Sequence, residues 1–220
     1  MCNLNLFNRS DTKLEQSSEE RLGKETYLLH NFTMPFEKSL LPALETVIAA
    51  ANFRQMKTRR GFTMSVAMTN CGDLGWISDS KGYRYSKIDP ITKKSWPCIP
   101  EVFFDLASSA AIAAGFNNFV PDACLINRYE VGAKMALHQD QDELDFNQPI
   151  VSISLGIPAI FLLGGLTKAD KTQRILLSHG DVLVWGGADR LRFHGVLPIK
   201  SAMHPLFGNS RINLTFRKAH

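Results

Sequence analysis

The sequence predicts an α+β fold, mainly β, whose core is a double-sheet jelly roll. After Pro121 the chain divides into eight short runs of strand-forming residues, which are separated by turns rich in glycine. Short strands at regular spacing with such turns are typical of this architecture. Its interior can hold a metal ion and a small molecule. The eight predicted strands are 123–129, 134–138, 150–155, 159–163, 174–178, 181–185, 192–197 and 211–217.

Two helices are predicted on the N-terminal side of these strands. In residues 39–51 apolar side chains recur at helical spacing, and Pro42 falls in the first turn, where proline is tolerated. The second helix covers residues 100–114, since Pro100 suits a helix start and Gly115 suits the cap after its end. Both helices have one apolar face, so we expect them to pack on the sheets as scaffold.

One domain is predicted, residues 26–220, after a polar N-terminal extension at residues 1–25. A chain of 220 residues that is 45% hydrophobic is long enough to bury one substantial core. Residues 8–25 are polar and charged without clear periodicity, so we expect them to be mobile. Residues 27–30 are predicted to form a short first strand.

The cysteines and the apolar runs indicate a cytoplasmic protein. The four cysteines are Cys2, Cys71, Cys98 and Cys124. None forms a C-x-x-C pair, so neither a zinc knuckle nor a redox pair is indicated, and nothing suggests a disulfide framework. No apolar run approaches about 18 residues, the length that a membrane-spanning helix needs. The first residues lack the basic region and the long apolar core of a secretory signal. We therefore expect a cytoplasmic protein that acts as a monomer.

The candidate metal ligands are His138, Asp140 and His194. Side chains two residues apart on an extended chain point the same way, so His138 and Asp140 can present an imidazole and a carboxylate to one point. His194 supplies a third ligand from a later strand. Two histidines and one carboxylate suit a non-haem Fe(II) oxygenase. On this pattern alone, an ordinary polar strand end is an equal alternative.

A second His-x-Asp sequence, His179-Gly180-Asp181, is not expected to bind a metal. Gly180 and Asp181 lie between two apolar runs, which predicts a hairpin turn. Side chains in a turn do not share a strand face, so these residues are excluded as ligands.

Residues 211–217 alternate between apolar and polar side chains, which predicts a strand. Its polar face carries Arg211, Asn213, Thr215 and Arg217. One interpretation is a half-buried edge strand with a wet polar face. The other is a binding site for a dicarboxylate, because each carboxylate can accept a two-pronged hydrogen bond from one arginine.

The front half of the chain holds most of its excess positive charge. Residues 54–94 contain nine cations and three acids, a net charge of +6 against +4 for the whole chain. Basic groups that follow phosphates and aromatic rings that stack on bases together suit single-stranded nucleic acid. The alternative is a solvated loop region whose aromatic side chains fill the core. The aromatic residues in question are Trp76, Tyr83, Tyr85 and Trp96.

Taken together, these motifs resemble those of the AlkB family of Fe(II)/2-oxoglutarate dioxygenases. Residues 64–72, the Asn-Arg-Tyr sequence at 127–129 and the Trp-Gly-Gly sequence at 185–187 also match that family. The similarity extends from about residue 53 to residue 217. The resemblance implies a double-stranded β-helix core at residues 121–217 and a nucleotide-recognition lid at about residues 53–98.

The resemblance also implies roles for individual residues around a metal. Fe(II) would be bound by the three candidate ligands, with 2-oxoglutarate as cosubstrate and molecular oxygen as oxidant. Arg211 and Arg217 match the family's two carboxylate-binding arginines, and Asn127 and Tyr129 match its further polar contacts. Asn213 shares the strand face of the two arginines, so we include it in the cosubstrate site.

A further set of residues is implied for a nucleic-acid substrate. Trp76 matches a residue that stacks on the damaged base, and Tyr83 and Tyr85 match contacts to the nucleotide backbone. Asp142 matches a carboxylate near the flipped base, and a carboxylate suits a cationic methylated base. Lys168 stands where a similar member of the family has an arginine, so it can meet a phosphate but without a two-pronged hydrogen bond.

The implied activity is oxidative demethylation of 1-methyladenine and 3-methylcytosine in DNA, which is a direct-reversal repair reaction. 2-Oxoglutarate would be decarboxylated to succinate, and the methyl group would leave as formaldehyde. A methyl group on the pairing edge is buried in a duplex, so single-stranded or damaged DNA is the expected partner. An RNA demethylase with the same chemistry and a non-catalytic nucleic-acid-binding jelly roll are the alternatives.

Overall fold

The computed structural model describes residues 18–220, in which fourteen strands and two α-helices follow one another along the chain. Neither of these helices is long and apolar enough to cross a lipid bilayer. The helices are α1 (Glu37–Ala50) and α2 (Glu101–Ala113). The strands are β1 (Ser18–Arg21), β2 (Thr26–His30), β3 (Arg54–Lys57), β4 (Thr63–Gly72), β5 (Gly75–Asp79), β6 (Gly82–Ser86), β7 (Ala123–Tyr129), β8 (Met135–His138), β9 (Ile150–Gly156), β10 (Ala159–Leu163), β11 (Gln173–Leu177), β12 (Val182–Trp185), β13 (His194–Val196) and β14 (Arg211–Arg217).

Two sheets pack against each other to form the core. The larger sheet has the strand order β1-β2-β12-β9-β14-β7-β4-β3, and the smaller has the order β11-β10-β13-β8. Side chains of both sheets meet in one buried cluster, which includes Leu125 and Trp185 from the larger sheet and Phe161 and Leu163 from the smaller. The predicted fold class, mainly β with a double-sheet jelly-roll core, is therefore confirmed.

Both helices pack on the outer face of the larger sheet. Leu44 of α1, Phe103 of α2 and Phe216 of β14 belong to one buried cluster. The rings of Phe103 and Phe216 meet edge to face, with centroids 6.2 Å apart. The helices predicted at 39–51 and 100–114 lie within two residues of the observed bounds. Their apolar faces cover the sheet as scaffold, so the polar chemistry lies on its other face.

Strand β14 lies in the middle of the larger sheet, between β9 and β7. All seven of its residues are buried. Its apolar side chains face the helices, whereas its polar side chains line a cavity between the sheets. The interpretation of residues 211–217 as a half-buried edge strand was therefore wrong. Alternation tells which face a side chain occupies, but it does not tell how many neighbours a strand has.

The turn at residues 179–181 connects the two sheets instead of closing a hairpin. Strand β11 pairs with β10 in the smaller sheet, and β12 pairs with β2 and β9 in the larger. The turn itself is real, since Gly180 has a φ of +90°. The predicted hairpin was wrong, because apolar runs on both sides of a turn do not identify each strand's partner.

Two segments on the N-terminal side of the predicted jelly-roll core also belong to the larger sheet. Residues 18–21, which the sequence assigned to a mobile extension, form β1 and pair with β2. Residues 22–25 connect β1 to β2, and residues 1–17 of that extension lie outside the described part of the chain. Strands β3 and β4, which fall within the implied lid, extend the larger sheet through the pairing of β4 with β7. Only β5 and β6 form a separate two-stranded sheet.

Candidate active site

Two adjacent strands of the smaller sheet bring the candidate metal ligands together. His138 ends β8 and lies directly opposite His194, which begins β13. Asp140 follows β8, and its Oδ1 lies 3.5 Å from His138 Nε2 and 3.8 Å from His194 Nε2. One ligand atom from each residue lies within 4.8 Å of the others. Among residues 18–220 this is the one group of three or more His, Cys, Asp or Glu residues with such spacing.

Backbone carbonyl groups fix the orientation of both imidazoles. Nδ1 of His138 lies 2.9 Å from the Ala136 carbonyl oxygen, and Nδ1 of His194 lies 3.1 Å from the Arg192 carbonyl oxygen. A carbonyl oxygen can only accept, so Nδ1 carries the proton in each neutral imidazole, and Nε2 then has a lone pair for a metal. This arrangement is typical of metal-ligating histidines.

Burial and neighbouring charges set the protonation of the three groups. Burial lowers the pKa of His194 to about 4, and the neighbouring His138 adds to this effect. Burial also acts to lower the pKa of His138, but the Asp140 carboxylate outweighs it and the pKa is raised. Burial acts to raise the pKa of Asp140, but Arg217 and the histidines hold it well below its usual value. A neutral imidazole at His194 and a carboxylate at Asp140 suit a divalent cation.

A cavity of about 510 Å³ extends from these three side chains between the sheets. All of the residues predicted to bind the cosubstrate line it, namely Asn127, Tyr129, Arg211, Asn213 and Arg217. The structure therefore brings the metal ligands and the two arginines of β14 to one space. This juxtaposition is what the dicarboxylate interpretation of residues 211–217 requires.

Arg211 is the clearest sign of an anionic ligand in this cavity. The residue is 1% exposed, and its guanidinium donates from Nη2 to Ser154 Oγ at 2.8 Å. Its Nε and Nη1 have no hydrogen-bond partner among residues 18–220. Buried unpaired N–H groups are costly, and a carboxylate could accept from both. Arg217 is placed differently, because its Nε and Nη2 donate to Asp140 Oδ2 at 3.0 and 2.6 Å.

The polar residues beside Arg211 are partly satisfied by one another. Asn127 Nδ2 donates to Asn213 Oδ1 at 3.2 Å, and Asn213 Nδ2 donates to Ser152 Oγ at 2.8 Å. Asn127 Oδ1 has no partner in the described chain. Burial raises the pKa of Tyr129 to about 12, so its hydroxyl remains a donor. Asn213 therefore supports Asn127, whose Oδ1 stays available to a ligand. The Tyr129 hydroxyl donates to the Met135 sulfur at 3.9 Å, a weak acceptor that a ligand could replace.

Two aromatic rings and a further carboxylate also line the cavity. Trp76 and Tyr83 project from the β5–β6 hairpin, and their rings stack at 5.4 Å with an interplanar angle of 20°. Trp76 Nε1 donates to Asp142 Oδ2 at 2.7 Å. These three residues line the same cavity as the metal ligands. A flat, positively charged group would meet both a stacking surface and an opposite charge here.

Three aromatic or basic candidates do not line the cavity. The Tyr85 hydroxyl donates to Glu143 Oε1 at 2.6 Å. Trp96 is 4% exposed and donates to the Ser86 carbonyl oxygen, so it belongs to the core. Lys168 lies on an exposed segment after β10. The nucleotide contacts of Tyr85 and Lys168 remain predictions.

Two charged residues in this region have no recognisable pattern in the sequence. Glu143 is 5% exposed and Arg190 is 2% exposed, and they form an ion pair of 3.0 Å. Glu143 lies in an acidic stretch that reads as solvated, and Arg190 lies in a turn between two strands. A buried ion pair between segments distant in sequence follows no periodicity, so only the fold could identify it.

Comparison with known proteins agrees with this geometry. The sequence model of the 2OG-Fe(II) oxygenase superfamily matches residues 25–217. The chain is 53% identical over 201 residues to alpha-ketoglutarate-dependent dioxygenase AlkB of Salmonella typhimurium, covering 91% of this chain and 93% of that protein. It is 34% identical over 130 residues to nucleic acid dioxygenase ALKBH1 of Mus musculus, covering 56% of this chain and 31% of that protein.

A solved structure shares the fold along most of its length. The structure of OsALKBH1 superposes with a TM-score of 0.79 at 31% sequence identity, covering 91% of this chain and 100% of that chain. The motif resemblance, the family match and the His-Asp-His group thus agree with one another. The chain belongs to the AlkB family of Fe(II)- and 2-oxoglutarate-dependent dioxygenases.

Proposed function

We propose that this protein removes methyl groups oxidatively from 1-methyladenine and 3-methylcytosine in single-stranded DNA, as a direct-reversal repair enzyme. The observation that carries the proposal is the shared cavity. One continuous space of about 510 Å³ is lined by the candidate iron ligands, the buried Arg211, the Trp76–Tyr83 stack and the Asp142 carboxylate. It can hold a metal, a dicarboxylate and a flat cationic base side by side.

Different residues of the chain would bind the metal and the cosubstrate. His138, Asp140 and His194 would hold Fe(II), and Arg211 and Arg217 would bind the carboxylates of 2-oxoglutarate. When bound, Fe(II) and 2-oxoglutarate would supply the oxidising chemistry with which oxygen hydroxylates a methyl group. The hydroxylated carbon would then leave as formaldehyde. The protein orients the reactants and excludes water.

The Trp76–Tyr83 stack and Asp142 would select the base. Trp76 and Tyr83 would contact the base and its backbone, and Asp142 would face it. Since Trp76 Nε1 binds Asp142 Oδ2, the carboxylate is held beside the ring. Both methylated bases are cationic, so a fixed carboxylate favours them over the neutral products of repair. The name of the mouse relative, a nucleic acid dioxygenase, supports a nucleic-acid substrate.

We also infer that the protein acts in the cytoplasm as a monomer. In residues 18–220 the cysteines Cys71, Cys98 and Cys124 are free. Free cysteines fit a reducing compartment.

Mass spectrometry of a short single-stranded DNA with one 3-methylcytosine tests the proposal. In a mixture with protein, Fe(II), 2-oxoglutarate and oxygen, we expect loss of the methyl group, and no loss when any component is omitted. Succinate without demethylated DNA would keep the oxygenase but move its substrate to RNA or another molecule. Neither product, with iron demonstrably bound, would favour a non-catalytic binding protein.

A paired form of the same oligonucleotide tests how the base is reached. The lesion must leave the helix to enter the cavity, and unstacking a base costs a few kcal/mol. We expect the single strand to be demethylated faster than the duplex at equal concentration. Equal rates on the unpaired and the fully paired lesion would count against this expectation.

A separate prediction concerns phosphate attraction at the β3–β4 turn. Two of the nine cations counted above are already paired, Arg54 with Asp89 at 2.7 Å and Arg84 with Asp79 at 2.8 Å. Arg59 and Arg60 are exposed beside the cavity-lining residue Thr58. If both contact phosphates, reversing both charges should reduce the slope of log affinity against log salt by about 1.4 for single strands.

A salt titration of DNA binding measures that slope. The double variant Lys24→Glu/Lys38→Glu is the matched control, because both lysines are exposed and neither lines the cavity. An unchanged slope in Arg59→Glu/Arg60→Glu, or an equal change in the control, would contradict a role for the turn.

A further inference from the structure

The candidate ligand Asp140 lies outside regular secondary structure. It belongs to the loop of residues 139–149, which joins β8 to β9 without a helix or a strand. His138 and His194, in contrast, are held by the pairing of β8 with β13. A ligand on a loop keeps its geometry only when other groups fix its backbone and its rotamer. The geometry around Asp140 therefore depends on what holds this loop.

One buried side chain, Arg190, contacts the loop at three points. Its Nη1 donates to the Asp140 carbonyl oxygen at 3.0 Å, and its Nε donates to the Gln148 carbonyl oxygen at 3.1 Å. Its Nη2 donates to Glu143 Oε2 at 3.0 Å. The guanidinium carbon also lies 5.4 Å from the centroid of the Phe146 ring. Arg190 thus joins the start, the middle and the end of the loop.

Glu143 continues this set of contacts to the second arginine of β14. Glu143 Oε1 lies 3.3 Å from Arg217 Nε, and Arg217 Nη2 lies 2.6 Å from Asp140 Oδ2. Positive and negative groups alternate from Arg190 through Glu143 and Arg217 to Asp140, and each residue is 9% exposed or less. Because Arg217 occupies Oδ2 of Asp140, Oδ1 is the oxygen that faces the two histidines.

We propose that Arg190 is a positioning residue for the metal site. It holds the backbone at Asp140 and the carboxylate of Glu143. Glu143 orients Arg217, and Arg217 fixes the rotamer of Asp140. Lysine could not replace Arg190, because one ammonium group lacks the planar set of donors that reaches three separate acceptors. The inference rests on the ligand role proposed above for Asp140.

The position of Arg190 in the sequence also connects it to the candidate ligand His194. It lies in the segment between β12 and β13 that leads to His194. The same segment therefore supplies one candidate ligand directly and supports another through the loop. A shift of this segment would alter both ligands together, whereas an ordinary stabilising ion pair would not influence the metal site.

The test is the affinity of the full chain for Co(II), which accepts the same nitrogen and oxygen ligands as Fe(II). In Arg190→Met and Arg190→Lys we expect the Kd for Co(II) to rise about 10- to 100-fold, as is usual when a group that orients a metal ligand is lost. The visible absorption of bound Co(II) should change as well, because Asp140 is no longer held in one rotamer. A purely structural role would lower the thermal midpoint and leave both readouts unchanged.

Arg54→Met is the matched control. Arg54 also pairs with a buried carboxylate, Asp89, at 2.7 Å and lies over the ring of Trp96 at 5.1 Å. Both of these partners lie outside the loop of residues 139–149. We expect Arg54→Met to lower the thermal midpoint without changing the Kd for Co(II).

Further variants keep the test decisive. Arg190→Met removes the partner of Glu143 Oε2 and leaves this buried carboxylate with Arg217 and Tyr85 on Oε1 alone. Arg190→Met/Glu143→Gln is therefore included to remove the buried charge if the single variant does not fold. A Co(II) Kd within twofold of wild type in any folded Arg190 variant would overturn the positioning role. Asp140→Ala distinguishes failure of the proposed metal site from failure of the positioning role of Arg190. If it too binds Co(II) normally, the proposed metal site fails, and if it alone loses Co(II), only the positioning role fails.

Discussion

Replacing His138 with alanine is expected to abolish metal binding and, with it, the release of formaldehyde. The side chain supplies one of the three ligand atoms, with its Nε2 3.5 Å from Asp140 Oδ1. Losing a group that only orients a ligand costs about 10- to 100-fold in metal affinity. Losing a ligand itself should therefore cost more than about 100-fold. A Co(II) titration measures the affinity, and formaldehyde release from methylated DNA measures the activity.

His179→Ala is the matched control for this prediction. His179 Nδ1 accepts from the Gly156 amide, so its Nε2 donates to Glu37 Oε1 at 2.8 Å. Losing a hydrogen bond to a charged group costs about 1.5–3 kcal/mol, which should lower the thermal midpoint by several degrees. Metal affinity should stay unchanged. Retained metal binding in His138→Ala, or an equal loss in both variants, would contradict the assignment.

The candidate metal ligands could be predicted because their arrangement follows from a local rule. Side chains two residues apart on an extended chain share a face, and His138 and Asp140 do present their ligand atoms to one point. The position of His194 directly opposite His138 could not be predicted. Register between strands distant in sequence depends on the pairing of the whole sheet.

The same limit explains the two errors of topology. Alternation in residues 211–217 correctly separated the polar face from the apolar face, but the central position of β14 depends on its neighbours β7 and β9. Turn residues at 179–181 marked the turn but not its strand partners. The sequence gives still less information about the role of a charged residue, because that role depends on whether the fold buries the residue and pairs it. Arg190 and Glu143 look like ordinary surface residues until the fold brings them together.

The second large effect is expected for Arg211→Met, which should abolish 2-oxoglutarate binding. The buried guanidinium has two N–H groups, on Nε and Nη1, without a partner among residues 18–220. A carboxylate that binds there would lose its charge partner in the variant. Breaking a buried ion pair costs about 3–5 kcal/mol, or roughly 10²- to 4 × 10³-fold in affinity. Calorimetric titration with 2-oxoglutarate in the presence of Co(II) measures the loss.

The stability of the ligand-free protein should change in the opposite direction. Replacing a buried ion pair by apolar side chains of similar size is often neutral or stabilising by about 1–4 kcal/mol, because the charges no longer have to be desolvated. The same desolvation cost applies to the incompletely paired Arg211. At about 2–4 °C per kcal/mol for a chain of this size, Arg211→Met should have an equal or higher thermal midpoint without ligands. Wild type should gain stability with saturating 2-oxoglutarate and Co(II), since a ligand at 100 times its Kd adds about 2.7 kcal/mol. The variant should lack the 2-oxoglutarate part of that gain.

Arg211→Lys distinguishes charge from geometry at this position. Lysine keeps the positive charge but cannot form a two-pronged bond with a carboxylate. We expect the Kd for 2-oxoglutarate to lie between those of wild type and Arg211→Met, with Co(II) affinity unchanged in both variants. If Arg211→Met binds 2-oxoglutarate normally, the dicarboxylate does not use this arginine. If ligand-free Arg211→Met is strongly destabilised instead, the guanidinium serves mainly through its bond to Ser154 and its contact with the Tyr129 ring.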